Sequence, residues 1–188
     1  PYRRQRQMCI RDSNLLFQFG GMPFVDLAHL EKSNLNQGLL KYNRMKTGTP
    51  MSVEIIDSAY ELLSLLRNNH SSSYSDRPDY LFHILSGEYK RGEEGAYREY
   101  QSALRKFNNH LKSLSRKLRL HSSVTSYTLR HSWATTAKYR GVPIEMISES
   151  LGHKSIKTTQ IYLKGFELEE RTKVNKQNYY YVRRFKIA

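Results

Sequence analysis

Apolar positions along this chain recur mostly at helical spacing, broken once by a short stretch that alternates like a strand. Asn14-Leu-Leu-Phe-Gln-Phe19 is an apolar run stopped by Gly20-Gly21, which reads as a helix meeting a turn. Pro23 suits a first helical turn, and Phe24, Leu27 and Leu30 would line one face of the helix that follows. Asn36-Gln-Gly38 is a turn signal. Leu39 to Asn43 and Met51 to Ile55 then read as short strands around Lys46-Thr-Gly-Thr-Pro50, a hairpin with a basic loop. Ala59, Leu62, Leu63, Leu65 and Leu66 make 58–67 an amphipathic helix, and the Ser- and Asn-rich segment 68–78 is the clearest loop.

The second half is helical throughout. Ala96, Tyr100, Leu104, Phe107, Leu111, Leu114 and Leu118 follow one another at gaps of three and four, so 93–120 reads as one long helix with a single apolar stripe. Four shorter helices are predicted at 128–139, 143–151, 156–163 and 167–176, with Gly141 and Gly152 as stops. The segment from Tyr179 to Ala188 alternates aromatic and basic residues and suggests a strand. The pattern therefore predicts a mainly α protein with a small antiparallel β-sheet near the N-terminus (α+β). One globular domain over 11–178 is expected, with 1–10 as a basic arm or linker and 179–188 as a tail able to contact another subunit.

Charge narrows the class of partner. The 188 residues carry 31 Lys plus Arg against 17 Asp plus Glu, a formal net charge of +14. Nine basic residues and no acid lie between Gln101 and Ile144, and Arg3, Arg4, Arg6 and Arg11 open the chain without an acid among them. Blocks of one sign favour a polyanion, because each neutralised phosphate releases condensed counterions. Cys9 is the only cysteine, so an internal disulfide and paired-thiolate zinc sites are excluded; a reducing compartment fits. No H-E-x-x-H or comparable spacing occurs, and no metal is expected. No apolar run approaches the ~18 residues of a membrane span, and no membrane role is expected.

The candidate chemistry lies between Tyr127 and Tyr162. Arg130, His153 and Tyr162 stand 23 and 9 residues apart. A guanidinium can hold two phosphate oxygens, an imidazole can donate to a third, and a phenol can form a covalent ester where cations lower the cost of its phenolate. His153 follows the glycine that ends a helix, so it falls in a connecting turn. Lys46, in the hairpin loop with Arg44 nearby, could reach a phosphate or protonate a leaving hydroxyl. Each of these has an ordinary structural reading when taken singly.

Taken together, Tyr127-Thr-Leu-Arg130-His-Ser-Trp-Ala-Thr135, Leu151-Gly-His153 and Thr158-Thr-x-x-Tyr162 resemble the catalytic core of the tyrosine recombinases, or phage integrase family. Arg44-x-Lys46-Thr-Gly48 resembles that family's β-hairpin lysine, and Gly21-Met-Pro-Phe-Val-Asp26-Leu resembles the segment around its first arginine. The R-H-S-W-A and T-T-Q-I-Y details look most like integrases of Bacteroidetes-type mobile elements. The resemblance implies that Tyr162 attacks a scissile DNA phosphate to give a 3′-phosphotyrosyl link. Arg130 would clamp the nonbridging oxygens, His153 would donate to the phosphate, and Lys46 would protonate the leaving 5′-hydroxyl, without ATP or metal. Tyr127 would join the catalytic set, while Arg44, His131 and Lys157 would contact DNA.

Two positions depart from the family pattern. Tyr127 stands where the H-x-x-R box has histidine, and a phenol is a poorer proton acceptor at neutral pH. Gly20 stands where the first arginine is expected. The resemblance also implies double-stranded DNA sites as partners, a tetramer on DNA, a monomer without it, and room for a DNA-bending accessory protein. The setting it implies is the bacterial cytoplasm, at the nucleoid when bound. A helical DNA-binding domain before Arg11 is not expected in this chain, so weak and poorly selective DNA binding is. The alternatives are a weakened DNA-binding relative and a type IB topoisomerase-like relaxing enzyme.

Overall fold

The computed structural model of the protein describes residues 2–66, 78–163 and 168–183, except the side chains of 2–9, 66, 162, 168–170 and 181–183. The side chains of Arg3, Arg4 and Arg6, most of the Ser- and Asn-rich loop, and the Tyr162 side chain therefore lie outside the described residues.

Helix α1 (Tyr2–Gln18) leads through the Gly20-Gly21 turn to the short helix α2 (Phe24–Ala28). It is continuous from Tyr2, so residues 2–10, expected as an arm or linker, are helical with 11–18. Three antiparallel strands follow in the order β1 (Leu35–Asn36), β2 (Leu39–Asn43) and β3 (Pro50–Glu54). Gln37 and Gly38 both have positive φ, 47° and 80°, as a two-residue hairpin turn requires. The register pairs Leu35 with Leu40 and Tyr42 with Met51. Two residues are too few to show periodicity, which is why β1 was not predicted.

Helix α3 (Asp57–Leu66) precedes the long α4 (Glu94–Lys117). The latter stops three residues short of the predicted end. Arg119 adopts φ 53°, and the amides of Arg119 and Leu120 bond back to the Arg116 and Ser115 carbonyls. That left-handed cap satisfies the last carbonyls and turns the chain away. The remaining helices are α5 (Ser126–Tyr139), α6 (Ile144–Ser150), α7 (Ile156–Tyr162) and α8 (Leu168–Arg183). Helix α8 carries through Tyr179 to Arg183, where alternation had suggested a strand. A strand needs a neighbour's ladder for its amides, whereas a helix satisfies them within itself.

Two apolar clusters organise the molecule. The larger joins Leu15, Leu16 and Phe19 of the first helical segment to Phe24 and Leu27, to Leu40 of the sheet, and to Phe107 and Leu111 of α4. Phe24 and Phe107 stack at 4.5 Å between ring centroids. The smaller gathers Ala134, Ile147, Leu151 and Leu163, with Trp133 packed against it. The polar side chains of interest lie where the Gly20-Gly21 turn, the hairpin and α5 to α7 meet.

Candidate active site

Arg130 is placed by the start of α5. Thr125 and Thr128 cap each other's backbone amides, which fixes the helix start. A Cβ on Gly21 would lie only 3.2 Å from Trp133 Cβ, so the absence of a side chain lets that turn close against α5. Arg130, 5% exposed as a residue, then donates from Nη1 to the Gly21 carbonyl at 2.9 Å and from Nη2 to the Leu151 carbonyl.

His153 is placed by the end of α6. Gly152 has φ 63°, its amide bonds to the Glu149 carbonyl, and the His153 amide bonds to Ser148 at 3.0 Å. This closing pattern puts the His153 backbone in the last turn's cap, as the glycine stop suggested. Arg130 Nη2 lies 3.3 Å from His153 Nε2, and Nδ1 lies 2.8 Å from Thr159 Oγ1. Burial first, then Arg130, Arg44 and Lys46, lowers the His153 pKa to about 4, so the ring is neutral at pH 7.

The hairpin loop holds its backbone internally, Arg44 N–H to the Thr49 carbonyl and Gly48 N–H to the Arg44 carbonyl. Lys46 is exposed in this loop, near enough that its charge bears on His153. Asp26 from α2 anchors the loop: its Oδ1 accepts the Met45 amide at 2.9 Å and its Oδ2 accepts Arg44 Nε at 3.1 Å. Arg44 Nη1 donates to the Leu151 carbonyl at 2.6 Å. Two guanidiniums thus converge on one carbonyl at the C-terminal end of α6, where helix geometry leaves acceptors unsatisfied.

Arg44 is 6% exposed and held by Asp26 and the α6 end, as a buried cation requires a partner. Tyr127 is 59% exposed on the first turn of α5 and meets the half-buried His131 edge-to-face at 4.5 Å. Lys157 is exposed on α7, whose start is capped by Ser155. Tyr162 closes α7, nine residues beyond His153. Arg130 and His153 are therefore in direct contact and the charge of Lys46 reaches His153, whereas Tyr127 and His131 pair with each other on α5 and Lys157 stands on α7.

Asp26 and Thr159 had no assigned role in the sequence reading. Asp26 had a usable signal, an acid inside the apolar pattern of Phe24, Leu27 and Leu30, which implies a buried partner. Thr159 had none, since a threonine in a polar helix looks solvated. Among the described residues, no three His, Cys, Asp or Glu side chains form a metal-binding group, and no helix is long and apolar enough to cross a membrane.

Comparison with known proteins shows what the chain resembles. XerA tyrosine recombinase of Pyrococcus furiosus is 31% identical over 150 residues, covering 79% of this chain and 47% of that protein. A crystal structure of XerA recombinase superposes with a TM-score of 0.62 at 20% identity, covering 93% of this chain and 60% of the other. XerH recombinase bound to a palindromic difH substrate, a post-cleavage complex, gives 0.59 at 19% identity, covering 90% and 44%. The chain thus spans less than half the length of the Pyrococcus relative. The two structural likenesses show the fold, a tyrosine recombinase catalytic domain. Residues 11–168 match the phage integrase family, and the chain belongs to it.

Proposed function

We propose that this chain is the catalytic domain of a site-specific DNA recombinase, with 11–178 as its catalytic unit. The carrying observation is the contact between Arg130 and His153, 23 residues apart in sequence, with His153 hydrogen-bonded to Thr159 on the helix that bears Tyr162. The Tyr162 oxygen attacks the scissile phosphorus, the bond to the 5′-oxygen breaks, and a 3′-phosphotyrosyl ester forms. Lys46 gives a proton to the departing 5′-oxygen, and the phenolic proton passes to water. Arg130 carries the charge that grows on the nonbridging oxygens. The reverse attack by a partner strand's 5′-hydroxyl restores a phosphodiester, so the exchange consumes no bond energy. Neither ATP nor a metal enters these steps.

The finer reading is a bacterial mobile-element integrase of the Bacteroidetes type, supported by R-H-S-W-A and T-T-Q-I-Y. It acts in the cytoplasm, at the nucleoid when bound, on double-stranded attachment sites. Its protomers are monomeric alone and tetrameric on DNA, with 179–188 contacting a neighbour and a DNA-bending protein assisting. Tyr127, His131 and Lys157 face the duplex around the clamp. A second reading, DNA binding with little turnover, draws support from Gly20 and from Arg44, whose charge is already matched by Asp26.

The test is incubation with a nicked suicide substrate carrying the protein's own attachment site. A covalent adduct that survives denaturant and vanishes in Tyr162→Phe is expected. Persistence in the variant would remove Tyr162 as nucleophile. Binding without adduct would favour the second reading, and relaxation of supercoils without paired sites would favour a topoisomerase.

A further inference from the structure

Helix α7 has seven residues, and among its described side chains Thr159 alone is buried, at 0% exposure. A threonine hydroxyl taken wholly out of water needs a hydrogen-bond partner, and this one lies 2.8 Å from His153 Nδ1. The roles in that bond follow from the other side of the ring. Arg130 can only donate, so the contact at Nε2 requires a lone pair there. The proton of a neutral imidazole must then sit on Nδ1 and point at Thr159 Oγ1. Thr159 stands one helical turn before Tyr162, so the same hydroxyl touches the phosphate-site histidine from the nucleophile's helix.

We propose that Thr159 is a positioning residue, whose buried hydroxyl accepts the Nδ1 proton of His153, fixes the tilt of the ring and ties the Tyr162 helix to the Arg130–His153 contact. This rests on the recombinase reading for its catalytic consequence, though the hydrogen bond itself does not. A hydroxyl both accepts and donates. With Nδ1–H pointing at it, His153 offers a lone pair to Arg130. With the hydroxyl hydrogen turned toward Nδ1, the ring carries its proton on Nε2 and offers it to a phosphate oxygen. Thr159 need not move between the two states, whereas Arg130 Nη2 must leave Nε2 for the phosphate, and a valine of equal size can support neither.

Two measurements test this. The first is the long-range proton–nitrogen spectrum of the imidazoles in the protein without DNA, with His153 assigned by the signal missing in His153→Asn. Wild type and Thr159→Ser should show His153 with its proton on Nδ1, and Thr159→Val should gain the Nε2–H form. The second is the single-turnover rate of adduct formation on the suicide substrate. Thr159→Val should slow it by about 10- to 100-fold, the usual scale for a reacting group misplaced by about an ångström, with Thr159→Ser recovering most of the loss. An unchanged His153 tautomer in Thr159→Val, or adduct formation at the wild-type rate, overturns the proposal. If the wild-type protein forms no adduct, the recombinase reading fails instead, and the spectrum alone decides the role of Thr159.

Discussion

Asp26→Ala should be among the most damaging single substitutions in this protein that leaves the reacting side chains untouched. Asp26 is fully buried and neutralises Arg44, which is itself buried, through a 3.1 Å bond to Nε. It also accepts the Met45 amide at 2.9 Å. Without the carboxylate, Arg44 keeps only neutral carbonyl partners, chiefly Leu151 at 2.6 Å. Breaking a buried ion pair from one side typically costs about 3–5 kcal/mol, and the orphaned amide adds about 1 kcal/mol or more. At about 2–4 °C per kcal/mol for a domain of this size, Tm should fall by about 8–24 °C. Thermal and urea denaturation of Asp26→Ala, Arg44→Met and the double variant would measure this. The double variant buries no charge, so it should be more stable than Asp26→Ala. A Tm drop under about 3 °C for Asp26→Ala would mean that Arg44 escapes to solvent at little cost. Additive losses in the double variant would mean the pair is not coupled, and either result refutes the anchoring role.

Three further outcomes are expected. His153 has a folded pKa of about 4, below the ordinary value of 6.5, so between those values the unfolded chain binds more protons than the native one. Its contribution to stability is present above pH 6.5 and lost as pH falls toward 4; His153→Gln should therefore show a shallower fall in Tm over that window, and parallel curves would count against the depressed pKa. Lys46→Ala should lower cleavage by about 10²- to 10⁴-fold if Lys46 is the general acid, and a 5′-bridging sulfur leaving group, which needs no proton, should restore it. Equal defects on both substrates would assign Lys46 to binding. Gly20→Arg should raise the cleavage rate if residue 20 holds the first-arginine position. Its φ of 70° costs a side chain about 1–2 kcal/mol, so the assay belongs below the lowered Tm, and no gain in the folded variant would refute the placement.

Much of the fold was legible because its determinants are local. The stripe from Ala96 to Leu118 specifies α4 by spacing alone, and Gly141 and Gly152 stop their helices because left-handed caps favour a residue without a side chain. The tail misled for the complementary reason: whether Tyr179 to Arg183 pair as a strand depends on a partner edge that no local pattern reveals. Arg130, His153, Lys46 and Tyr162 were named from type and spacing, since phosphate chemistry demands those side chains wherever they fold. What the sequence could not assign was the division of labour between two arginines. Arg44 and Arg130 look alike as basic residues beside family motifs. Only tertiary structure sets Arg44 against the buried Asp26 and Arg130 against His153, because both arginines are buried by carbonyls more than 100 residues away, Leu151 for Arg44 and Gly21 for Arg130. The same holds for Thr159, whose hydroxyl becomes informative only once α7 turns it away from water and onto a histidine six residues earlier.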